Sequence, residues 1–430
     1  MNNHLARIYL LLTIVVSLVG FSGVSFAQEA EVAGQPFDVA AATEEYLATV
    51  SGEQREKSDA YFEGGYWLIL WGFLYGVIVA FVLLRKGLSA KIRDWCKGRS
   101  NRAFIQTFIY GGFYVLATSL LTFPWVVYTG FIREHQYELA TQGFGAWFGE
   151  QLISLLISIV MVSLFIAVIY ALIRKFGEKW WLLGAGVTAI FMMVAVMIAP
   201  VFIAPLFNEY KPLENSVVAD AVLKMAQDVG ADFDTVYVVD ASAQSTRISA
   251  NVSGLGATKR VSLNDNLLNQ GSLAEVKAVM GHELGHYMLN HGLVLVASFT
   301  FLLGLGYLFV TKMYIWAIRR WGAGWKLEGL DDIAGLPLAV AIFSVYTFLM
   351  TPAFNSIIRI NESQADAYGL EVAMEPDGFA SISMKLAQYR KLDPGYIEEI
   401  IFFDHPSGRT RVEMSMEWKA KHMAARDQAD

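Results

Sequence analysis

Six stretches of this chain of 430 residues, near 66–84, 104–131, 152–173, 180–205, 292–316 and 335–352, are apolar almost throughout. Each is about 18 residues or longer, which is what a helix needs to cross the hydrocarbon of a bilayer. Inside lipid the backbone N–H and C=O groups must bond to one another, so isolated apolar runs of this length can only be helices. The fold expected is predominantly α, a multi-span transmembrane helix bundle. A further apolar run from Ile8 to about Val24 follows Arg7 and precedes Ser25-Phe26-Ala27. Residues 1–27 therefore read as either a signal peptide or a first transmembrane helix, giving about seven helices in all. Composition agrees: 17% of residues are charged, against about a quarter in soluble domains.

The polar sequence between the runs divides the chain. Residues 28–63 form an acidic segment, 64–205 a four-span membrane domain, 206–290 a first soluble lobe, 291–352 a two-span hairpin and 353–430 a mostly helical C-terminal lobe. In the first lobe, a helix is predicted from Val217 to about Val229, with strands at Thr235–Val239, Ile248–Leu255 and Arg260–Leu263. The two lobes together are expected to make a small α+β domain. The loop between the first two spans holds Arg85, Lys86, Lys91, Arg93, Lys97, Arg99 and Arg102 against Asp94 alone. Such loops stay cytoplasmic, so counting spans puts both lobes and the acidic segment outside. A net charge of −7 with no basic stripe beyond the loops flanking the spans excludes nucleic acid as a partner. The partners expected are the lipid bilayer and a peptide or protein substrate. No sequence feature fixes an oligomeric state.

The chemistry is carried by His282-Glu283-Leu284-Gly285-His286. Ser272-x-x-Glu275 is a capping box that opens a helix running to about Asn290. On that helix the two imidazoles, four residues apart, share a face and can grip one Zn²⁺. Glu283 is placed to take a proton from a zinc-activated water attacking a peptide carbonyl. Cys96 is the only cysteine, so any metal must be held by His and carboxylate. His291, just beyond the motif, reads as an interfacial residue at the membrane edge. A catalytic zinc needs a third protein ligand and an open position. Asn355, Arg359, Glu362 and Asp366 recur at i, i+4, i+7 and i+11, one polar stripe on a helix. Glu362 reads as the third ligand, and Asp366 as the carboxylate that fixes a ligand imidazole, with Asn355 and Arg359 beside them. His405 and Arg411 read either as donors to the oxyanion of the tetrahedral intermediate or, for a lone loop histidine such as His405, as a structural residue. The competing readings are a transporter with an incidental HExxH, a catalytically inactive membrane scaffold, and a protease cutting within the bilayer. The scarcity of charge within the spans and the polar surroundings of the motif disfavour the first and the last.

In order and spacing these residues resemble the integral membrane zinc metalloproteases of the type I CAAX prenyl protease family, also described as a-factor-converting enzymes. The matching pieces are Ile203-Ala204-Pro205-Leu206-Phe207-Asn208, Pro212-Leu213, Val236-Tyr237-Val238-Val239-Asp240, the HExxH, Arg359 through Glu362 to Asp366, and His405-Pro406 with Arg411. They cover the chain from about residue 104 to 415. The resemblance implies a chamber of about seven membrane helices closed by the zinc domain, with one Zn²⁺ per chain on His282, His286 and Glu362. It also implies that Ser249, Ala250, Asn251, Val252, Ser253 and Gly254 form an edge strand binding the substrate backbone. Here the chain departs from the family's usual Asn-Ala-Tyr-Phe-Thr-Gly, which bears on substrate preference. The signal-like N-terminus and outward-facing lobes imply a bacterial inner-membrane protease working on the periplasmic side, acting on peptides or on membrane and envelope proteins.

Overall fold

The structure, a computed structural model, describes residues 37–214, 216–254 and 259–427. The run read as a signal peptide or first span lies outside these residues, as do Leu255 and Gly256. The helices are α1 (Val39–Ala48), α2 (Gly52–Leu84), α3 (Leu88–Lys97), α4 (Ala103–Val127), α5 (Phe144–Phe176), α6 (Trp180–Ile198) and α7 (Val217–Asp228). Then come α8 (Leu273–Met288), α9 (His291–Trp325), α10 (Leu336–Leu349), α11 (Thr351–Ala373), α12 (Pro376–Leu386), α13 (Tyr396–Phe402) and α14 (Gly408–Asp427).

The membrane region is helical, as the apolar runs require. Gly52–Lys97, Ala103–Gln136, Phe144–Leu206 and His291–Trp325 are long and apolar enough to cross a bilayer. The third stretch has 63 residues, about 95 Å if straight and far more than one crossing needs. Gly177, at φ 54° and ψ −134°, breaks it into α5 and α6, which pack along each other. Only glycine takes this backbone region readily. Trp67, Phe81, Leu120, Leu156, Leu182 and Ile190 are among the large apolar side chains that remain exposed on these helices. In water such a surface would be an aggregation liability, whereas in lipid it is solvated.

One expectation needs correction. The last span, read as 335–352, is the 14-residue α10, too short alone, and it bends by 55° into α11. Thr351-Pro352 restarts the helix there, because proline is tolerated only in a first turn. From residue 37 onward the acidic segment packs on the C-terminal lobe, a contact with no local signal in the sequence. Asp38 caps α1, and Leu47 and Val50 are buried against Ala380, Met384, Val412 and Met416 of α12 and α14.

The first lobe carries a four-stranded sheet of β1 (Tyr210–Pro212), β2 (Val236–Val239), β3 (Ala250–Ser253) and β4 (Arg260–Asn264), in the order β1-β2-β4-β3. β2 and β4 are parallel and the outer pairs antiparallel. The sequence showed no sign of β1, and the strand read as Ile248–Leu255 is shorter than expected. Val236, Val261 and Leu263 pack with Val276 and Met280 of α8 and Leu370 of α11.

The closest packing in the lobe is between α8 and α11, which cross through small residues. A Cβ on Gly369 would lie 2.6 Å from the His282 backbone nitrogen, and one on Gly281 would lie 2.7 Å from the Gly369 carbonyl oxygen. Gly285 meets Ala365 at 3.0 Å in the same way. The crossing thus sits at the first histidine of the motif. Gly369→Ala is expected to force the helices apart, costing about 1–3 kcal/mol as overpacking does. A lowered Tm with bound metal lost in proportion is the expected result; unchanged metal content would show that the crossing does not set the site.

Candidate metal centre

The capping box that opens α8 is formed in both directions. The Ser272 N–H donates to Glu275 Oε2 at 2.6 Å and the Glu275 N–H to Ser272 Oγ at 3.3 Å. From this fixed start, the helix delivers His282 and His286 to one face, opposite Glu362 on α11. The three side chains offer ligand atoms that all lie within 4.8 Å of one another. His282 Nε2 is 3.1 Å from His286 Nε2 and 3.2 Å from Glu362 Oε2, and His286 Nε2 is 3.3 Å from Glu362 Oε1. Ligands on a tetrahedral ion with bonds of about 2.0–2.1 Å stand about 3.3 Å apart. Glu362 Oε2 is buried with no hydrogen-bond partner, a costly state for a carboxylate that a cation would relieve. Two imidazoles, a carboxylate and this spacing suit a divalent zinc-type ion.

Behind the ligands stand groups that orient them. Asp366, fully buried, lies 2.7 Å from His282 Nδ1. It also accepts from Arg411 Nε at 2.8 Å and Nη2 at 2.5 Å. Arg411 was expected at the oxyanion; two of its N–H groups are spent on Asp366, and its influence on the site runs through that carboxylate. Burial alone would lower the His282 pKa, but Asp366 and Glu362 outweigh it and carry the metal-free imidazole up to about 9. Burial likewise opposes ionised Asp366, yet Arg411 and His282 hold its pKa well below the usual range. Glu362 is held low by His282 and His286 despite its burial. For Glu283 burial dominates and raises the pKa, against His282 and His286.

The remaining expected residues separate. His405 joins the centre, its Nε2 3.2 Å from Glu362 Oε2 and its Nδ1 2.8 Å from Asp404. Burial lowers its pKa, against the pull of Asp404. Asn355 and Arg359 do not face the ligands. Asn355 Nδ2 donates to the Ile401 carbonyl at 2.8 Å, and Arg359 Nη1 to those of Glu399 at 2.8 Å and Phe403 at 2.5 Å. They satisfy the open carbonyls at the end of α13, and so tie the loop bearing His405 onto α11. Ser249–Gly254 holds the edge strand. Ser249 pairs with Asn264 across β4, so alternation turns the backbone groups of Ala250 and Val252 to the free edge. There the Val252 N–H faces the Glu283 carboxylate and opposes the rise of its pKa.

His291 is the functional neighbour that sequence reasoning missed. It is not an interfacial residue: it is 1% exposed, with Nδ1 2.9 Å from His286 Nδ1 and Nε2 3.2 Å from Gln364 Oε1. Asn290, at φ 55°, turns the chain sharply between α8 and α9 and returns His291 to His286. A protonated Nδ1 on His286 donating to His291, and a protonated Nε2 on His291 donating to Gln364, leaves His286 Nε2 free for a ligand bond. The available signal was Asn290 itself, a residue tolerant of left-handed backbone at the junction between the motif helix and the apolar run that follows.

An integral membrane bundle that holds a His-His-carboxylate cluster with a motif glutamate beside an open strand edge defines a membrane metalloendopeptidase. Comparison with known proteins agrees. Residues 212–419 match the model of peptidase family M48, and residues 39–209 match the CAAX prenyl protease N-terminal model, described as five membrane helices. The uncharacterized metalloprotease YhfN of Bacillus subtilis is 33% identical over 77% of this chain and 78% of its own length. CAAX prenyl protease 1 of Saccharomyces cerevisiae is 25% identical over 71% of each. A crystal structure of S. mikatae Ste24p shares the fold at a TM-score of 0.72 and 20% identity, over 94% of this chain and 97% of that one. The chain belongs to peptidase family M48.

One titration of zinc against a competing chelator checks the ligand geometry. Zinc must displace the proton that His282 holds below about pH 9, so apparent affinity is expected to rise about tenfold per pH unit up to there and then level off. The same raised pKa stabilises the metal-free fold below the unfolded histidine value, a contribution lost as pH rises through about 9. His291→Ala is expected to lower affinity about 10- to 100-fold at every pH, with His291→Asn, which retains an acceptor, recovering part. Equal affinity in all three proteins would remove His291 from the site.

Proposed function

We propose that His282, His286 and Glu362 hold one Zn²⁺ and that Glu283 is the general base of peptide hydrolysis. The observation that carries this reading is the three-ligand cluster with Glu283 on the same helix and a free strand edge alongside. A bound zinc ion supplies Lewis acidity and lowers the pKa of a water to near neutral. The outward N–H and C=O groups of Ala250 and Val252 take a substrate segment as an added, extended strand. Glu283 accepts the proton of the attacking water and returns it to the leaving nitrogen, a task suited to its raised pKa. His405 stands beside Glu362 with its Nδ1–H held by Asp404, and in its doubly protonated form it donates from Nε2 toward the oxyanion. Asp366 keeps the His282 imidazole aligned, and Arg411 keeps Asp366 ionised.

Glu283→Gln is expected to keep about one zinc and to lose activity on an unstructured reporter peptide by about 10²- to 10⁴-fold. Glu362→Gln is expected to lose the zinc as well. Equal activity of wild type and Glu283→Gln would overturn the mechanism and favour an inactive scaffold.

The basic residues at 85–102 and at Arg319, Arg320 and Lys326 support an orientation with the lobes outside, in the inner membrane of a bacterium. Relatives bear the name CAAX prenyl protease 1. With the centre outside, prenylated cytosolic proteins are out of reach, and peptides or membrane and envelope proteins are the proposed substrates. In spheroplasts of a Cys96→Ser strain, Glu209→Cys should react with an impermeant maleimide and Ser100→Cys only after permeabilisation. The reverse pattern would turn the protein over and restore cytosolic substrates.

A further inference from the structure

Two grooves lie far from the metal centre, one of about 500 Å³ and one of about 680 Å³. The first is lined by Lys312, Trp316, Arg319 and Arg320, with Glu178; the second by Phe81, Arg85, Lys86, Arg320, Trp321 and Trp325. Arg320 belongs to both. Helix α9 starts at His291, beside the metal ligands, so Lys312 and Arg320 stand about 32 and 44 Å along its axis. The hydrocarbon core is about 30 Å thick, which puts both grooves at headgroup depth in the opposite leaflet. Arg85 at the end of α2 and Glu178 just before α6 lie on that same face.

The lining has two kinds of chemistry. Among the described residues, Lys312 alone of the five cations has a carboxylate at salt-bridge distance, Glu178 at 3.0 Å. Four cations thus converge with no internal counter-charge. Between them runs an aromatic ladder, Trp316 to Trp321 at 5.1 Å and Trp321 to Trp325 at 5.9 Å between ring centroids. Trp316 and Phe81 are 55% and 54% exposed. Tryptophans at this depth anchor in the interface, and basic pockets between helices there take anionic headgroups. A soluble anion would leave the exposed rings without a partner, whereas a lipid satisfies both.

We propose that the two grooves form one site for an anionic glycerophospholipid of the leaflet opposite the metal centre, with its phosphodiester at Arg320 and its chains along Trp316 and Trp321. The test uses the full chain in nanodiscs of phosphatidylethanolamine containing phosphatidylglycerol, with retained lipid counted by native mass spectrometry. Wild type is expected to release with phosphatidylglycerol bound in preference to phosphatidylethanolamine. Arg319→Gln with Arg320→Gln is expected to weaken that retention by about thirtyfold, and Arg85→Gln with Lys86→Gln to weaken it comparably if the first pair does not fold. Lys91→Gln with Arg102→Gln removes the same charge from the same face outside the grooves, and retention should change less than twofold. Equal loss in that control would reduce the effect to general surface charge and overturn the proposal. So would equal retention of the two lipids, or complete displacement of the lipid by inorganic phosphate, which would mark a soluble-anion site.

Discussion

The close crossing of α8 and α11 is the contact on which the rest of this protein depends. Gly281, Gly285, Ala365 and Gly369 remove the side chains that would hold the two axes apart, and the backbones meet at van der Waals distance. Ligand side chains are short, and an ion accepts bonds only near 2 Å. Two imidazoles from one helix and a carboxylate from another can therefore share an ion only if the helices come this close. The crossing also brings Asp366 against His282, since one turn of α11 separates Asp366 from Glu362. Geometry at the centre is thus set by packing between two helix backbones, which is stiffer than any loop.

Around that contact the electrostatics are arranged in layers. Burying Asp366 beside Glu362 would be prohibitive for two isolated carboxylates. Arg411 grips the first through two N–H groups, and the imidazoles, or a cation in their midst, compensate the second. Removing one member would leave its partner buried and unpaired, so the array stands or falls as a unit. The chain of His286, His291 and Gln364 completes it on the other side with neutral hydrogen bonds.

The membrane enters through where its helices stop. α9 leaves the metal centre directly for the bilayer, and α10 returns from it into α11 through the 55° bend. Both ligand-bearing helices are therefore fixed to membrane segments at one end only, which keeps the charged array out of hydrocarbon while anchoring it at the surface. The edge strand remains unpaired on the side facing Glu283.

Much of this was legible in the sequence, because local rules govern it. Apolar runs fixed the helical membrane bundle, since lipid leaves backbone groups no other partner. The capping box and four-residue spacing placed His282 and His286 on one helix face, and the polar stripe placed Glu362 and Asp366 on another. The same stripe misled for Asn355 and Arg359: spacing tells which residues share a face, not which neighbour that face meets. The docking of the acidic segment onto the C-terminal lobe was not legible, because its few apolar residues, Leu47 and Val50 among them, gain meaning only against α12 and α14, more than 300 positions away. Burial of His291 depended on a left-handed turn at Asn290, and the contact of Arg411 with Asp366 on the fold of the whole C-terminal lobe. The sequence by itself determined most of the helices and the candidate ligand set, through chain-local hydrogen bonding and periodicity. Only the tertiary structure decided which polar groups meet, because that depends on backbones approaching across long stretches of chain, where a missing Cβ counts for more than any motif.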